Sequence, residues 1–148
     1  MSDNAPISRL GTLFLLLGLT QAAHSFEEMT THLYDFFWVM TGAIQRIFPS
    51  FPQFRWPADL FAAVNIVLIT ILLGSWPFVE RRQGWALAIA WVAGVIETVN
   101  GINHIVAAIA FRQYVPGAIT APFLLVLGPL LLRELRKPSQ PLIGEQNS

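Results

Sequence analysis

No cysteine occurs anywhere in the 148 residues of this chain. That absence removes disulfides, thiolate-bound metals, iron–sulfur clusters and cysteine nucleophiles together. Lysine is nearly absent too. Lys137 is the only one and lies in the tail, so a buried Schiff-base lysine is excluded. Charge is scarce, at 12% of residues against 54% hydrophobic. A soluble domain carries roughly 25% charged residues. A larger core does not account for the deficit, because small domains have proportionally more surface. The expected solvent is therefore partly lipid. Nine basic residues balance nine acidic ones, so no basic face invites nucleic acid.

What the chain does contain is apolar sequence in long runs. Four segments stand out, from about Leu10 to Phe26, Leu60 to Val79, Trp85 to Phe111 and Val115 to Leu132. A spanning helix needs about 20 apolar residues. The expected fold is all-α, an integral membrane bundle of about four transmembrane helices. Pro116 and Gly117 are expected in the first turn of the fourth helix, where proline is tolerated. Gly128-Pro129 falls inside that helix and predicts a kink. Between the first two segments, Leu33, Phe36, Phe37, Met40, Ile44, Ile47 and Phe48 recur at helical spacing with Asp35, Gln45 and Arg46 on other faces. That pattern predicts an amphipathic helix lying in the headgroup plane, with a short fifth span as the alternative. The proline-rich stretch from Pro49 to Pro57 then forms an aromatic loop. Trp38, Trp56, Trp76 and Trp85 fall near predicted span ends, as an aromatic belt requires.

Arg9 before Leu10–Leu19 superficially resembles a signal peptide, but Asp3 offsets it and the run leads into the most polar segment of the chain. The first helix is expected to be retained. With four spans and a cytoplasmic N-terminus, Arg9, Arg81, Arg82, Arg133, Arg136 and Lys137 face the cytoplasm, leaving Arg46, Arg55 and Arg112 outside. This basic bias predicts a multi-pass inner-membrane protein with both termini cytoplasmic. Residues 1–137 form one expected domain, and 138–148 a polar, disordered tail.

The informative residues are those that do not belong in lipid. The first segment ends in His24-Ser25-Phe26-Glu27-Glu28, with His32 beyond. The second contains Asn65, the third Glu97, Asn100, Asn103 and His104, and the fourth Thr120. An ionisable residue at mid-bilayer costs about 2.5–3.5 kcal/mol on insertion scales. Under the four-span topology all these residues fall at a similar depth, in the outer leaflet, which predicts one shared polar pocket. His24, Glu27 or Glu28, and His32 share a helical face if the helix continues that far, and so do Glu97, Asn100 and His104. Two helices that each offer a carboxylate and a histidine resemble the way bundle cores hold metal. The simpler readings are headgroup-zone charges for Glu28 and His32, and interhelical hydrogen bonding for Glu97, Asn65 and Thr120.

His24-Ser25-Phe26-Glu27-Glu28 is an H-x-x-E-E motif. Together with Asn100-Gly101-Ile102-Asn103-His104, Tyr114-Val115-Pro116-Gly117 and Thr120, it resembles the signatures of the HXXEE domain family. These are small bacterial integral membrane proteins named for the motif. The resemblance runs from about Leu10 to about Leu132 and implies a membrane protein without an assigned reaction. It marks His24, Glu27, Glu28, Asn100, His104, Tyr114, Pro116 and Gly117.

The leading functional expectation is a metal-dependent enzyme acting on a lipophilic substrate. His24, Glu27, Glu28, Glu97 and His104 are the candidate ligands of a divalent ion (zinc, iron or manganese). Glu28 or Glu97 is the expected general base, and Asn65, Asn100, Tyr114 and Thr120 position ligands or substrate. One alternative is a metal-free isomerase or cyclase that moves protons through Glu28 and Glu97. Another is a proton- or cation-coupled transporter, which in four spans requires a homo-oligomer. Membrane lipids and a lipophilic small molecule are the expected partners.

Overall fold

A computed structural model describes residues 6–137. The expected polar tail from Pro138 onward lies outside the described residues. Five helices and no strands occur among those residues: α1 (Arg9–Thr30), α2 (Leu33–Ile47), α3 (Ala58–Glu80), α4 (Gly84–Phe111) and α5 (Ala121–Leu135). The all-α expectation holds.

Helix α1 begins at Ser8, whose hydroxyl accepts the Gly11 amide at 3.0 Å. This is the N-cap role for which serine is favoured. The same residue is clamped to the end of α3, because its N–H and O–H donate to the two oxygens of Glu80 at 2.8 and 2.7 Å. Trp76 of α3 donates its indole N–H to the Gly11 carbonyl at 3.0 Å. A Cβ on Gly11 would collide with the Glu80 carboxylate, so glycine is what lets these helices meet. Helix α5 packs most closely on α4. A Cβ on Gly128 would lie 2.9 Å from the Gly94 carbonyl, and one on Gly101 would lie 3.0 Å from the Ala121 carbonyl. Gly94 and Gly101 are thus used within the chain, in the small-residue packing typical of membrane helices.

At this end of the bundle the core is dominated by apolar side chains, with Ser75 buried among them and bonded to the Leu72 carbonyl. Leu10, Phe14 and Leu17 of α1 meet Leu72 and Val79 of α3, Ala86, Ala90 and Ala93 of α4, and Leu124 and Leu131 of α5. The outer faces are apolar as well. Ile66, Val67 and Ile71 of α3 and Val92, Val99, Val106 and Ile109 of α4 are all exposed. Both helices are long and apolar enough to cross a membrane. Only 22% and 33% of their most apolar stretches are buried, whereas a core helix of a soluble protein hides most of its apolar surface. The other two expected spans do not meet that standard. The second half of α1 is polar, and α5 has 15 residues, about 22 Å at 1.5 Å per residue.

Two expectations at the far end are corrected. The fourth helix does not start at Val115. Residues 116–120 form turns, with Gly117 at φ +89°, and the proline at the helix start is Pro122. A left-handed Gly117 cannot be a helical residue, which is why the helix waits until Ala121. His32 does not extend the face of His24, because α1 stops at Thr30 and His32 turns left-handed at φ 59°. The expected amphipathic helix is present as Leu33–Ile47, and its 15 residues are too few for the alternative, a fifth span across a hydrocarbon layer of about 30 Å. Helix α2 is held by the loop behind it. Trp56 donates its amide to the Tyr34 carbonyl at 3.3 Å, Gln53 donates to the Trp38 carbonyl at 3.0 Å, and the Phe54 amide donates to the Thr41 hydroxyl at 3.2 Å.

Candidate functional site

The polar residues of α1, α3, α4 and the α5 entrance meet at one end of the bundle, opposite the apolar core. The two glutamates of the H-x-x-E-E stretch divide there. Glu27 turns toward the 114–120 turn and Glu28 toward α4. Glu27 is fully engaged. Its Oε1 accepts from the Tyr114 hydroxyl (2.7 Å) and the Ile119 amide (3.0 Å), and its Oε2 accepts from the Thr120 amide (2.9 Å) and hydroxyl (2.6 Å). A carboxylate on the free N–H groups at a helix entrance is well placed against the helix dipole. Glu27 therefore docks the turn and the start of α5.

This docking determines the state of His24. Thr120 spends its only hydroxyl proton on Glu27, so its oxygen must accept from His24 Nδ1, 2.6 Å away. By this elimination, His24 carries a proton on Nδ1. When the ring is neutral, Nε2 presents a lone pair. Asn100 Nδ2 lies 3.2 Å from that nitrogen and donates to it. Glu28 Oε1 also lies 3.1 Å from His24 Nε2, and 3.1 Å from His104 Nε2. The two imidazoles meet edge to face with centroids 4.7 Å apart. His24, Glu28 and His104 are all buried.

A carboxylate oxygen facing the lone pair of a neutral imidazole is repulsive unless something positive lies between them, a proton or a cation. The donor set suits a cation. His24, Glu28 and His104 each offer one ligand atom, and these atoms lie within 4.8 Å of one another. With metal–ligand bonds of about 2.0–2.2 Å, neighbouring ligands sit roughly 3–3.5 Å apart, and the two 3.1 Å separations fall in that range. The relay from Glu27 through Thr120 to His24 Nδ1 orients the ring from behind, as metal-bound histidines require. Gly117 closes the other side. A Cβ there would lie 2.5 Å from His104 Cε1 and 2.8 Å from His24 Cε1.

The match with known proteins fits this geometry. Residues 15–131 match the family model described as a protein of unknown function with HXXEE motif. The chain belongs to the HXXEE family. No curated protein and no solved structure matches it. In the HXXEE motif of this chain, the histidine and the second glutamate face the buried cluster, while the first glutamate braces the turn that carries Tyr114, Gly117 and Thr120.

Three of the five expected ligands are thus brought together. Glu27 stands apart because both its oxygens are filled by the turn. Glu97 is buried but lies outside the trio. Asn100 is beside it, and its Oε2 has no partner. Asn100 and Thr120 both touch His24, whereas Tyr114 touches Glu27. Asn65 accepts from Ser25 at 2.6 Å and is one step removed.

A cavity of about 650 Å³ opens beside the cluster. Glu28, Glu97, Asn100 and His104 contribute its polar side, while Phe36, Phe37, Met40 and Phe111 contribute apolar wall. Helix α2 and Trp56 cover part of it. Sequence reasoning missed three contributors, namely Gln21, Ser25 and the aromatic face of α2. Gln21, Ser25 and Glu28 stand at i, i+4 and i+7, one helical face. That spacing was a usable signal.

Proposed function

We propose that this chain is a membrane-embedded enzyme that binds one divalent metal through His24, Glu28 and His104 and acts on a lipophilic substrate in the adjoining cavity. The observation that carries the reading is the buried trio itself, in which one oxygen of Glu28 lies 3.1 Å from His24 Nε2 and 3.1 Å from His104 Nε2. Zinc, iron and manganese all accept this donor set. When bound, such an ion polarises a substrate oxygen or lowers the pKa of water, chemistry that serves hydrolysis or oxidation. Glu97, which lines the cavity and has one oxygen without a hydrogen-bond partner, is the group placed to accept or return a proton. Asn100 holds His24, and Thr120 fixes its tautomer.

The membrane placement is supported by the exposed apolar faces of α3 and α4. In this reading α1 and α5 cross with them, their polar stretches turned inward, and α2 lies at the outer interface. Arg9, Arg81, Arg82, Arg133, Arg136 and Lys137 gather at the opposite, cytoplasmic end, where Glu134 pairs with Lys137 (2.6 Å) and Arg9 (3.5 Å).

The test is metal analysis of detergent-purified protein beside Glu28→Gln, His104→Ala and Glu97→Ala. Near-stoichiometric metal in wild type and Glu97→Ala, lost from Glu28→Gln and His104→Ala at unchanged elution volume, supports the site. Folded wild type that takes up no metal after supplementation overturns it. The free Oε2 of Glu97 favours a second reading, a metal-free acid/base isomerase or cyclase, whose activity is insensitive to chelators.

A further inference from the structure

The exposure of the residues around the cavity shows where it opens. On α2 and the loop behind it, Leu33, Phe36, Phe37, Met40 and Trp56 are buried or half-buried. Phe36 meets Phe111 of α4 edge to face with centroids 5.4 Å apart, and Phe37, Trp56 and Phe61 form a second aromatic group. Aromatic rings therefore close the outer end. The exposed lining residues are Val64 of α3 and Ile96, Asn103, Val106 and Ala110 of α4. The mouth thus lies between α3 and α4, on the side of the bundle.

Packing explains the gap. Helix α1 holds α3 and α5 holds α4, while the direct contact between α3 and α4 is thinner. On α3 the cavity is lined by Phe61, Val64, Asn65 and Leu68, at i, i+3, i+4 and i+7 of one helical face. Ile66 and Val67, between them, are exposed on the outward side. These are the two helices long and apolar enough to cross a membrane, so an opening between them faces hydrocarbon.

Asn103 is the polar residue of that rim. A polar group turned to hydrocarbon costs free energy unless it is hydrogen-bonded, and its depth indicates what meets it. Helix α4 has 28 residues, about 42 Å at 1.5 Å per residue, against a hydrocarbon layer of about 30 Å. Asn103 stands about 12 Å below the outer end at Phe111. With the helix centred, it lies roughly 6 Å inside the hydrocarbon edge. The polar lipid atoms nearest that depth are acyl carbonyls, acceptors that an amide NH₂ can serve. His104 is the next residue, so a carbonyl held there is level with the His24, Glu28 and His104 cluster.

We propose that the mouth between α3 and α4 is a lateral portal for one acyl chain of a bilayer lipid, with Asn103 Nδ2 donating to the acyl carbonyl at the rim and the chain running inward past Leu68. The inference rests on the reading of this chain as a membrane-embedded enzyme and names the substrate class, an acyl lipid that arrives from the bilayer and not from water.

The experiment uses the full chain in phosphatidylcholine nanodiscs that contain a trace of phosphatidylcholine with a diazirine midway along one acyl chain. After illumination, adducts are located by peptide mass spectrometry, and metal content is measured on the same samples. Adducts are expected on inward-facing Leu68 as well as on outward-facing Ile66 and Val67. Ala107→Trp, which fills the groove, should remove the Leu68 adduct and leave the other two unchanged. Asn103→Leu should lower the Leu68 yield about fivefold, the worth of one hydrogen bond. Adducts on Ile66 and Val67 alone, in protein that retains its metal, overturn the portal and leave the metal centre standing. Leu68 adducts that persist in Ala107→Trp overturn it as well, and equal Leu68 yields in wild type and Asn103→Leu overturn the part given to Asn103. Leu68 adducts in protein that never holds metal support the portal and overturn the metal centre alone. Asn103→Cys carries the only thiol of its chain and should resist a membrane-impermeant thiol reagent. Rapid labelling there would show that the mouth opens to water, against the proposal.

Discussion

The two ends of this bundle are built from the same helices under opposite rules. At one end, Phe14, Leu17, Ala90 and Leu131 form an apolar cluster, and glycines bring backbones into contact. At the other, His24, Ser25, Glu28, Asn65, Glu97 and His104 are just as buried, and a cavity opens beside them. Burying an apolar side chain costs nothing in hydrogen bonds, but burying a polar one does unless it is paired. The chain meets that cost almost everywhere. Glu27 takes four bonds, and Thr120, Asn100, Asn65 and Ser25 each have a partner. The exceptions, Gln21 Oε1, Glu97 Oε2 and His104 Nδ1, all belong to the same end. Apolar packing is thus concentrated at one end, and unsatisfied polarity at the end that carries the His24, Glu28 and His104 cluster.

The comparison breaks most forcefully at Gly128. Gly128→Leu drives a side chain into the Gly94 carbonyl and Thr98. Overpacking of this kind costs typically 1–3 kcal/mol, occasionally more, and with backbone on the far side this site lies toward the upper end, about 3 kcal/mol. Thermal unfolding in detergent should show a clear fall in Tm, with metal per folded chain unchanged. Metal lost in step with stability would show that the two ends are not separable.

Thr120 sharpens the comparison from the polar side. Thr120→Val keeps the shape but removes the oxygen that orders His24 Nδ1 and the hydroxyl that binds Glu27. Partners of metal-bound histidines contribute about 10–100-fold to metal affinity, and a loss of that size is expected in competition with a chelator dye. Thr120→Ser restores the hydroxyl and should recover most of it. Equal affinity in all three proteins would mean that Thr120 merely fills space.

The same contrast explains what could be read from sequence. The apolar runs over α3 and α4 mark their helices almost to the residue, because these helices are apolar on their exposed faces as well as in the core. The meeting of His24, Asn65, Glu97, His104 and Thr120 at one end was legible for a related reason, since polar residues in an apolar run are conspicuous and must find one another. The division between Glu27 and Glu28 was not. Adjacent positions on a helix differ by about 100°, so one of the two had to face away from the His24 partner. Which one, and toward what, depends on a turn 90 residues distant in sequence, and no local pattern reports it. The turn itself was misread as helix because Pro116 is compatible with a first helical turn. Only the left-handed Gly117 and its contact with both imidazoles show why the chain stays open there.

The smallest effect expected is at Tyr114, where the polar end meets its surroundings. Its hydroxyl donates to Glu27 at 2.7 Å. Burial and that bond to the carboxylate raise the phenol above its ordinary value of 10.0. The folded protein therefore favours the protonated phenol more than the unfolded chain does. The stabilisation is fully present below pH 10 and declines as pH rises through the folded value. Tyr114→Phe removes one of the four bonds on Glu27, a loss of about 0.5–1.5 kcal/mol, at the lower end because Tyr114 is half exposed. Tm measured between pH 8 and pH 11 should start slightly lower in the variant and fall less steeply, so that the two curves converge at the alkaline end. Parallel curves would show that the phenol proton does not couple to the fold. Glu27 would then hold the turn through Ile119 and Thr120 alone, and the brace behind His24 would stand without its outermost bond.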